Sequence, residues 1–186
     1  MTLRRPRKGP RPVTPELLEK AALHYVERYA GTAENLRRVL MRRVDRWAYT
    51  LGGDRGAGVR WVEALVQRYV RSGLVDDKRY AGAAAESLRR RGASARRIRQ
   101  KLAQKGVDAD TAAAALAAAD GTDAEAELAA AIKLSRKRRL GPFGDPKTRR
   151  DRRLKELASL ARAGFGYDIC RRVIDAGEGE LPEASG

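Results

Sequence analysis

The stretch GLVDDKRYAGAAAESLRRRGASARRIRQKLAQKGVD, residues 73–108, writes two short helices with both ends of each marked. Asp76 or Asp77 can cap the first, because a carboxylate accepts from backbone N–H groups that have no intrahelical partner. Tyr80, Ala81, Ala84 and Leu88 then recur at helical spacing, and Gly92 supplies the left-handed residue that ends a helix. Ser94 is placed to cap the second helix, Ile98 and Leu102 form its i, i+4 apolar stripe, and Gly106 stops it. Val107 stands where a hydrophobic residue closes a Schellman turn, and Asp108 where the next helix needs a cap. Helices this short cannot bury their apolar faces alone, so the pattern should recur.

It recurs on both sides. Thr14-Pro15-Glu16 reads as a helix start, with a cap, a proline at the first helical position and an acid in the first turn. Leu18, Ala21, Ala22, Tyr25, Val26 and Tyr29 supply that helix's buried stripe, and Gly31 ends it. Thr32, Leu36 and Leu40 repeat the spacing of Ser94, Ile98 and Leu102, and Val44 and Trp47 extend the stripe. LGGDRGAG, residues 51–58, reads as a flexible break before a third helix carrying Val59, Val62, Val66 and Tyr69. Beyond Asp108 come an alanine-rich helix around Leu116 and another with Leu128, Ile132 and Leu134, opened by a capping box of Thr122 and Glu125. RLGPFGDPKT, residues 139–148, breaks the chain again. A basic helix with Leu154, Leu157, Leu160 and Ala161 follows, and a last one carries Ile169, Cys170, Val173 and Ile174.

No segment shows the period-two alternation of a strand. The expected fold is therefore all-α: an elongated solenoid of roughly nine helices in tandem three-helix repeats, with no sheet. The expected divisions are a disordered basic arm over 1–13, repeats over 14–73, 74–120 and 121–176, and a frayed acidic tail over 177–186. The tail holds Glu178, Glu180 and Glu183.

With 40 Lys and Arg against 24 Asp and Glu, the 186-residue chain carries a formal charge of +16, which favours an anionic partner. The charge is clustered. From Arg89 to Lys105 every charge is positive: Arg89, Arg90, Arg91, Arg96, Arg97, Arg99, Lys101 and Lys105. With no local Asp or Glu to pair with, these eight are the expected partner- or DNA-binding residues. A second basic run spans Lys133–Lys155, and within it Lys147, Arg149, Arg150, Arg152, Arg153 and Lys155 form an expected secondary surface.

Catalysis finds little material. One histidine, His24, and one cysteine, Cys170, give no ready metal ligand set, and no cofactor is expected. Gly52-Gly53-Asp54-Arg55-Gly56 lacks the preceding strand and following lysine of a phosphate loop. Cys170, among Ile169, Val173 and Ile174, reads as a small buried hydrophobe rather than a reactive thiol. A single cysteine fits a reducing compartment, and no apolar run is long enough to span a membrane, so a cytoplasmic protein without a membrane partner is expected.

The segment Gly73–Ala81, followed by Arg91-Gly92, Arg96-Arg97-Ile98, Leu102 and Lys105-Gly106-Val107, resembles the signature of the RecX family, the regulators of the RecA recombinase. Arg162-Ala163-Gly164-Phe165-Gly166-Tyr167-Asp168-Ile169 resembles the start of that family's closing helix, so the resemblance spans roughly residues 15–176. It implies elongated, curved tandem three-helix repeats; a monomer without enzymatic activity is expected. Such a protein lies in the groove of the RecA filament on single-stranded DNA and inhibits recombinase, ATPase and co-protease activities. Two alternatives rest on charge alone: a DNA- or RNA-binding helical protein that does not act on RecA, and a scaffold for an acidic protein.

Overall fold

The computed structural model describes residues 11–121, 125–177 and 179–182. Most of the expected basic arm, Thr122 of the expected capping box, and Glu178 and Glu183 of the tail lie outside them. The described residues form nine α-helices and no strand: α1 (Pro15–Arg28), α2 (Ala33–Leu51), α3 (Arg55–Arg71), α4 (Asp77–Arg90), α5 (Ala95–Gln104), α6 (Ala109–Asp120), α7 (Ala126–Arg138), α8 (Arg149–Ala163) and α9 (Tyr167–Ile174). Contacts divide the chain into two compact units, Met1–Asp77 and Lys78–Gly186.

The first unit packs α1, α2 and α3 around Leu18, Ala22, Leu36, Leu40, Val44, Val62, Leu65, Val66, Tyr69 and Val75. Its helices begin where side chains accept backbone protons. Thr14 Oγ1 accepts from Leu17 N–H, Thr32 Oγ1 from Asn35 N–H and Asp54 Oδ1 from Ala57 N–H. Asp54 also corrects the expectation of a flexible 51–58 break. Its cap starts α3 at Arg55, so only residues 52–54 separate α2 from α3, and Gly56 and Gly58 are helical. Tyr29, expected in the α1 stripe, is 57% exposed because the helix stops one residue before it. Arg37 forks onto Glu63 of α3 at 2.7 and 2.8 Å and reaches Glu34 at 2.8 Å. Asp77, expected as a possible cap of α4, accepts instead from Ala33 N–H at the start of α2, 2.8 Å away.

The second unit holds two apolar clusters. One is built by α4, α5 and α6 from Ala81, Ala85, Leu88, Ile98, Leu102, Val107, Ala112, Ala115 and Leu116. The other, from α7, α8 and α9, centres on Leu128, Ile132, Leu157, Leu160, Phe165, Cys170, Val173 and Ile174. Alanine supplies four of the nine buried residues of the first cluster, against two of eleven in the other. Four helices end on the same bond, from an N–H to the carbonyl five residues back: Ala93 to Leu88, Val107 to Leu102, Leu140 to Ser135 and Phe165 to Leu160.

Glu125 precedes α7, and its carboxylate pairs with Arg172 at 2.9 Å; the expected capping box turns on Thr122, which lies outside the described residues. The 139–148 segment separates α7 from α8, as expected, and it is packed. It forms two 3₁₀ turns, buries Leu140 and Gly141, and places Phe143 under the Arg136 guanidinium. The buried Glu156 carboxylate holds it by accepting from Gly141 N–H at 2.7 Å.

Candidate anion-binding groove of the second unit

The cations of residues 89–105 do not share one environment. Ser94 begins α5 by accepting from Arg97 N–H at 3.2 Å, and Ile98 and Leu102 turn inward at 0% and 1% exposure. That fixes the rotation of α5 and puts Arg96, Arg97, Arg99 and Lys101 outside. None of these four makes an ion pair with a described residue. Arg97 only touches its neighbour Gln100, at 3.1 Å.

Arg89 departs from the sequence expectation. Its side chain is 9% exposed and forks onto Asp120 at 2.6 and 2.8 Å. It also donates to Glu127 at 2.6 Å and to the Ala93 carbonyl at 2.9 Å. Burial pulls its pKa down, but the Asp120 and Glu127 bonds outweigh that and leave it raised, so the group stays charged. Its partners are not local ones: they come from 31 and 38 residues further on. Arg89 is therefore an internal strut rather than a free contact residue. Arg90 lies 3.8 Å from Glu86, both well exposed, a pair worth little.

Glu127 does double work. Besides Arg89, its carboxylate accepts from Ala95 N–H at the first turn of α5, at 3.0 and 3.3 Å. Ser94 Oγ, fully buried, donates to the Ala163 carbonyl at the end of α8, at 2.7 Å. Two glycines permit this approach. A Cβ on Gly92 would lie 2.9 Å from the Ala130 carbonyl oxygen of α7, and one on Gly164 would lie 2.5 Å from Ser94 Oγ. Both also hold positive φ, 77° and 102°.

This docking opens a groove of about 500 Å³. Five cations line it: Arg91 after α4, Arg97 and Lys101 of α5, Arg138 at the end of α7 and Arg162 at the end of α8. Leu88, Ala93, Leu134 and Ala163 supply an apolar floor, and no carboxylate is among the described lining residues. The polar contacts of the cations are neutral ones. Arg91 reaches the Ser87 carbonyl and hydroxyl at 3.0 Å each, and Arg138 reaches Ser159 at 3.2 Å. Like charges gathered without a counter-charge repel one another, and an incoming anion relieves that cost.

Arg91, Arg97 and Lys101 were therefore named from sequence and are brought together, whereas Arg138 and Arg162 were not. Arg96 lies beside Gly164, and Arg99 and Lys105 are exposed on α5 and the turn after it; none of the three lines the groove. Three of the six residues of the secondary basic surface are engaged internally. Arg149 donates to the Ile174 carbonyl at 3.0 Å and to that of Ala176. Arg153 forks onto Asp175 at 2.7 Å, holding that carboxyl below its usual range, and Arg152 lies 3.3 Å from Glu156. Lys147, Arg150 and Lys155 make no ion pair with a described residue. Cys170 is fully buried, and desolvation pushes its thiol pKa up, away from reactivity. No described group of three or more His, Cys, Asp or Glu residues is positioned for a metal, and no described helix is long and apolar enough to cross a membrane.

Residues 76–116 match the model of the RecX second three-helix domain. The chain is 51% identical over 170 residues to a protein of Myxococcus xanthus named regulatory protein RecX, covering 91% of this chain and 90% of that one. A protein of the same name from Halorhodospira halophila is 31% identical over 169 residues, covering 88% and 89% of the two chains. The crystal structure of RecX from Lactobacillus salivarius superposes with a TM-score of 0.59 at 20% identity, over 87% of this chain and 94% of that one, which supports the all-α fold. Since the Myxococcus identity is sustained over nearly the whole of both chains, this chain belongs to the RecX family.

Proposed function

We propose that this protein is a non-catalytic, cytoplasmic regulator that binds the RecA filament on single-stranded DNA as a monomer. There it inhibits strand exchange, ATP hydrolysis and co-protease activity, and so acts in DNA recombination, repair and the SOS response. Family membership supports the partner. The observation that carries the reading is the acid-free groove of Arg91, Arg97, Lys101, Arg138 and Arg162, which suits the anionic groups that a nucleoprotein filament presents. On this reading the repeats 14–73, 74–120 and 121–176 are the recognition modules, and the groove lies where the second meets the third.

The test is ATP hydrolysis by RecA on single-stranded DNA, titrated with this protein. Turnover should fall at substoichiometric amounts, and Arg97→Glu with Lys101→Glu should abolish the effect while the helical signal is retained. No inhibition at any ratio by the unmodified protein would overturn the reading. The unneutralised groove also fits a nucleic-acid binder that ignores RecA. In that case DNA or RNA affinity would be high, would fall steeply with salt, and would leave RecA turnover untouched.

A further inference from the structure

The first unit carries a surface that the groove does not explain. Leu36, Leu40 and Val44 of α2 are fully buried and fix its inner face. On the opposite face Arg42, Arg46 and Tyr49 follow at i, i+4 and i+7, and all three are exposed. Tyr49 is 92% exposed, its ring free of the fold on both sides. Neither arginine makes an ion pair with a described residue, and Arg43 beside them makes none either. Asp45 is the acid on this face, and Arg55 neutralises it at 2.8 Å. The face thus presents net positive charge and one bare aromatic ring, spread over about 10 Å of helix.

From this face we infer that the first unit holds a single strand of nucleic acid directly, Arg42 and Arg46 taking backbone phosphates and Tyr49 stacking on an unpaired base. The two guanidinium groups sit one turn apart, about 6 Å along the axis, so successive phosphates of an extended strand can meet both. A ring exposed on both faces costs nothing to uncover, and every base offers a π-face to it. A protein partner fits less well. Aromatic anchors at protein interfaces sit in well-packed surroundings, whereas the helical neighbours of Tyr49 are Arg42, Asp45, Arg46 and Thr50. A duplex fits less well too, because its bases are already stacked on one another.

The test uses the full-length protein without RecA, which separates it from the filament assay. Binding of a fluorescent oligothymidylate, and of a duplex of the same length, is followed by anisotropy across a salt series. Tyr49→Ala should weaken the single strand about five- to hundredfold, leave duplex binding unchanged, and leave the salt slope unchanged, since stacking releases no counterion. Arg42→Ala with Arg46→Ala should make the slope of log K against log salt shallower by about 1.4, at about 0.7 for each phosphate released. Tyr49→Trp should retain affinity and show indole quenching on binding beyond that of the unmodified protein. Unchanged single-strand affinity in Tyr49→Ala, equal losses on single strand and duplex, or no added quenching in Tyr49→Trp would each overturn the inference. Loss of RecA inhibition in Tyr49→Ala with oligonucleotide binding intact would also overturn it and assign the face to protein.

Discussion

Replacing Arg89 by alanine removes a guanidinium that is 9% exposed and makes three bonds to carboxylates and one to a carbonyl. What remains is the Ala93 carbonyl without that donor and two carboxylates, Asp120 and Glu127, whose side chains are 24% and 30% exposed. Breaking a fully buried ion pair from one side costs about 3–5 kcal/mol, and partial access of water to the carboxylates reduces this to about 2–3 kcal/mol. At an m value of about 1–3 kcal/mol per molar urea, the unfolding midpoint should fall by roughly 0.7–3 M, read by circular dichroism. Arg89→Lys keeps the charge but loses the fork, and should fall between alanine and the native protein. Arg97→Ala, exposed and paired with no acid, should stay within about 0.5 kcal/mol. If Arg89→Ala instead unfolds at the native midpoint yet no longer inhibits RecA, the strut assignment is wrong and Arg89 faces the partner.

Further outcomes follow from the packing. Gly58→Ala would bring a Cβ within 2.4 Å of Val44 Cγ1, a stiff β-branched side chain, and should destabilise the first unit by about 1–3 kcal/mol in thermal melts. Ser94→Ala removes both the α5 cap and the bond to Ala163, and should cost about 1–2 kcal/mol; a neutral result would deny the hydroxyl either role. Ser135 buries its hydroxyl without a partner among the described residues, so Ser135→Ala should be neutral or stabilising by up to about 1 kcal/mol, and a large loss would reveal a partner. The pKa of Asp175 is depressed chiefly by Arg153, and that of Glu34 by Arg37 and then Arg38. A depressed carboxylate contributes stability above its unfolded pKa that is lost as pH falls, so stability should decline through and below the ordinary carboxylate range. Asp175→Asn should flatten that decline in urea titrations at graded pH.

The helices were legible because their ends are local chemistry. Thr14, Thr32, Ser94 and Asp108 each accept from the N–H three residues on, and spacing alone anticipates that. One end misled because the side chain had a better distant use: Asp77, rather than capping α4, reaches Ala33. Asp54 misled in the other direction, because a glycine-rich stretch concealed a helix start. The groove was half legible. Arg91, Arg97 and Lys101 belong to the conspicuous run, but Arg138 and Arg162 join them only through packing that no local period encodes. A charge run also shows which residues are basic without showing which are already spent, and Arg89, Arg149 and Arg153 could be sorted from Arg97 only by their distant partners.

The shared carboxylate of Glu127 bears on the order in which the chain can mature. The Ala95 N–H at the first turn of α5 and the second carboxylate partner of Arg89 both wait for Glu127, more than thirty positions downstream, and the Ser94 hydroxyl waits for Ala163. A ribosome releases Arg89 and Ser94 well before either partner, so α4 and α5 leave it with their mutual anchor missing. A fragment ending at Gly121 would stay in that unfinished state, and a chimera joining this second module to another protein's third would inherit it unless the incoming helix carried an acid in the same place.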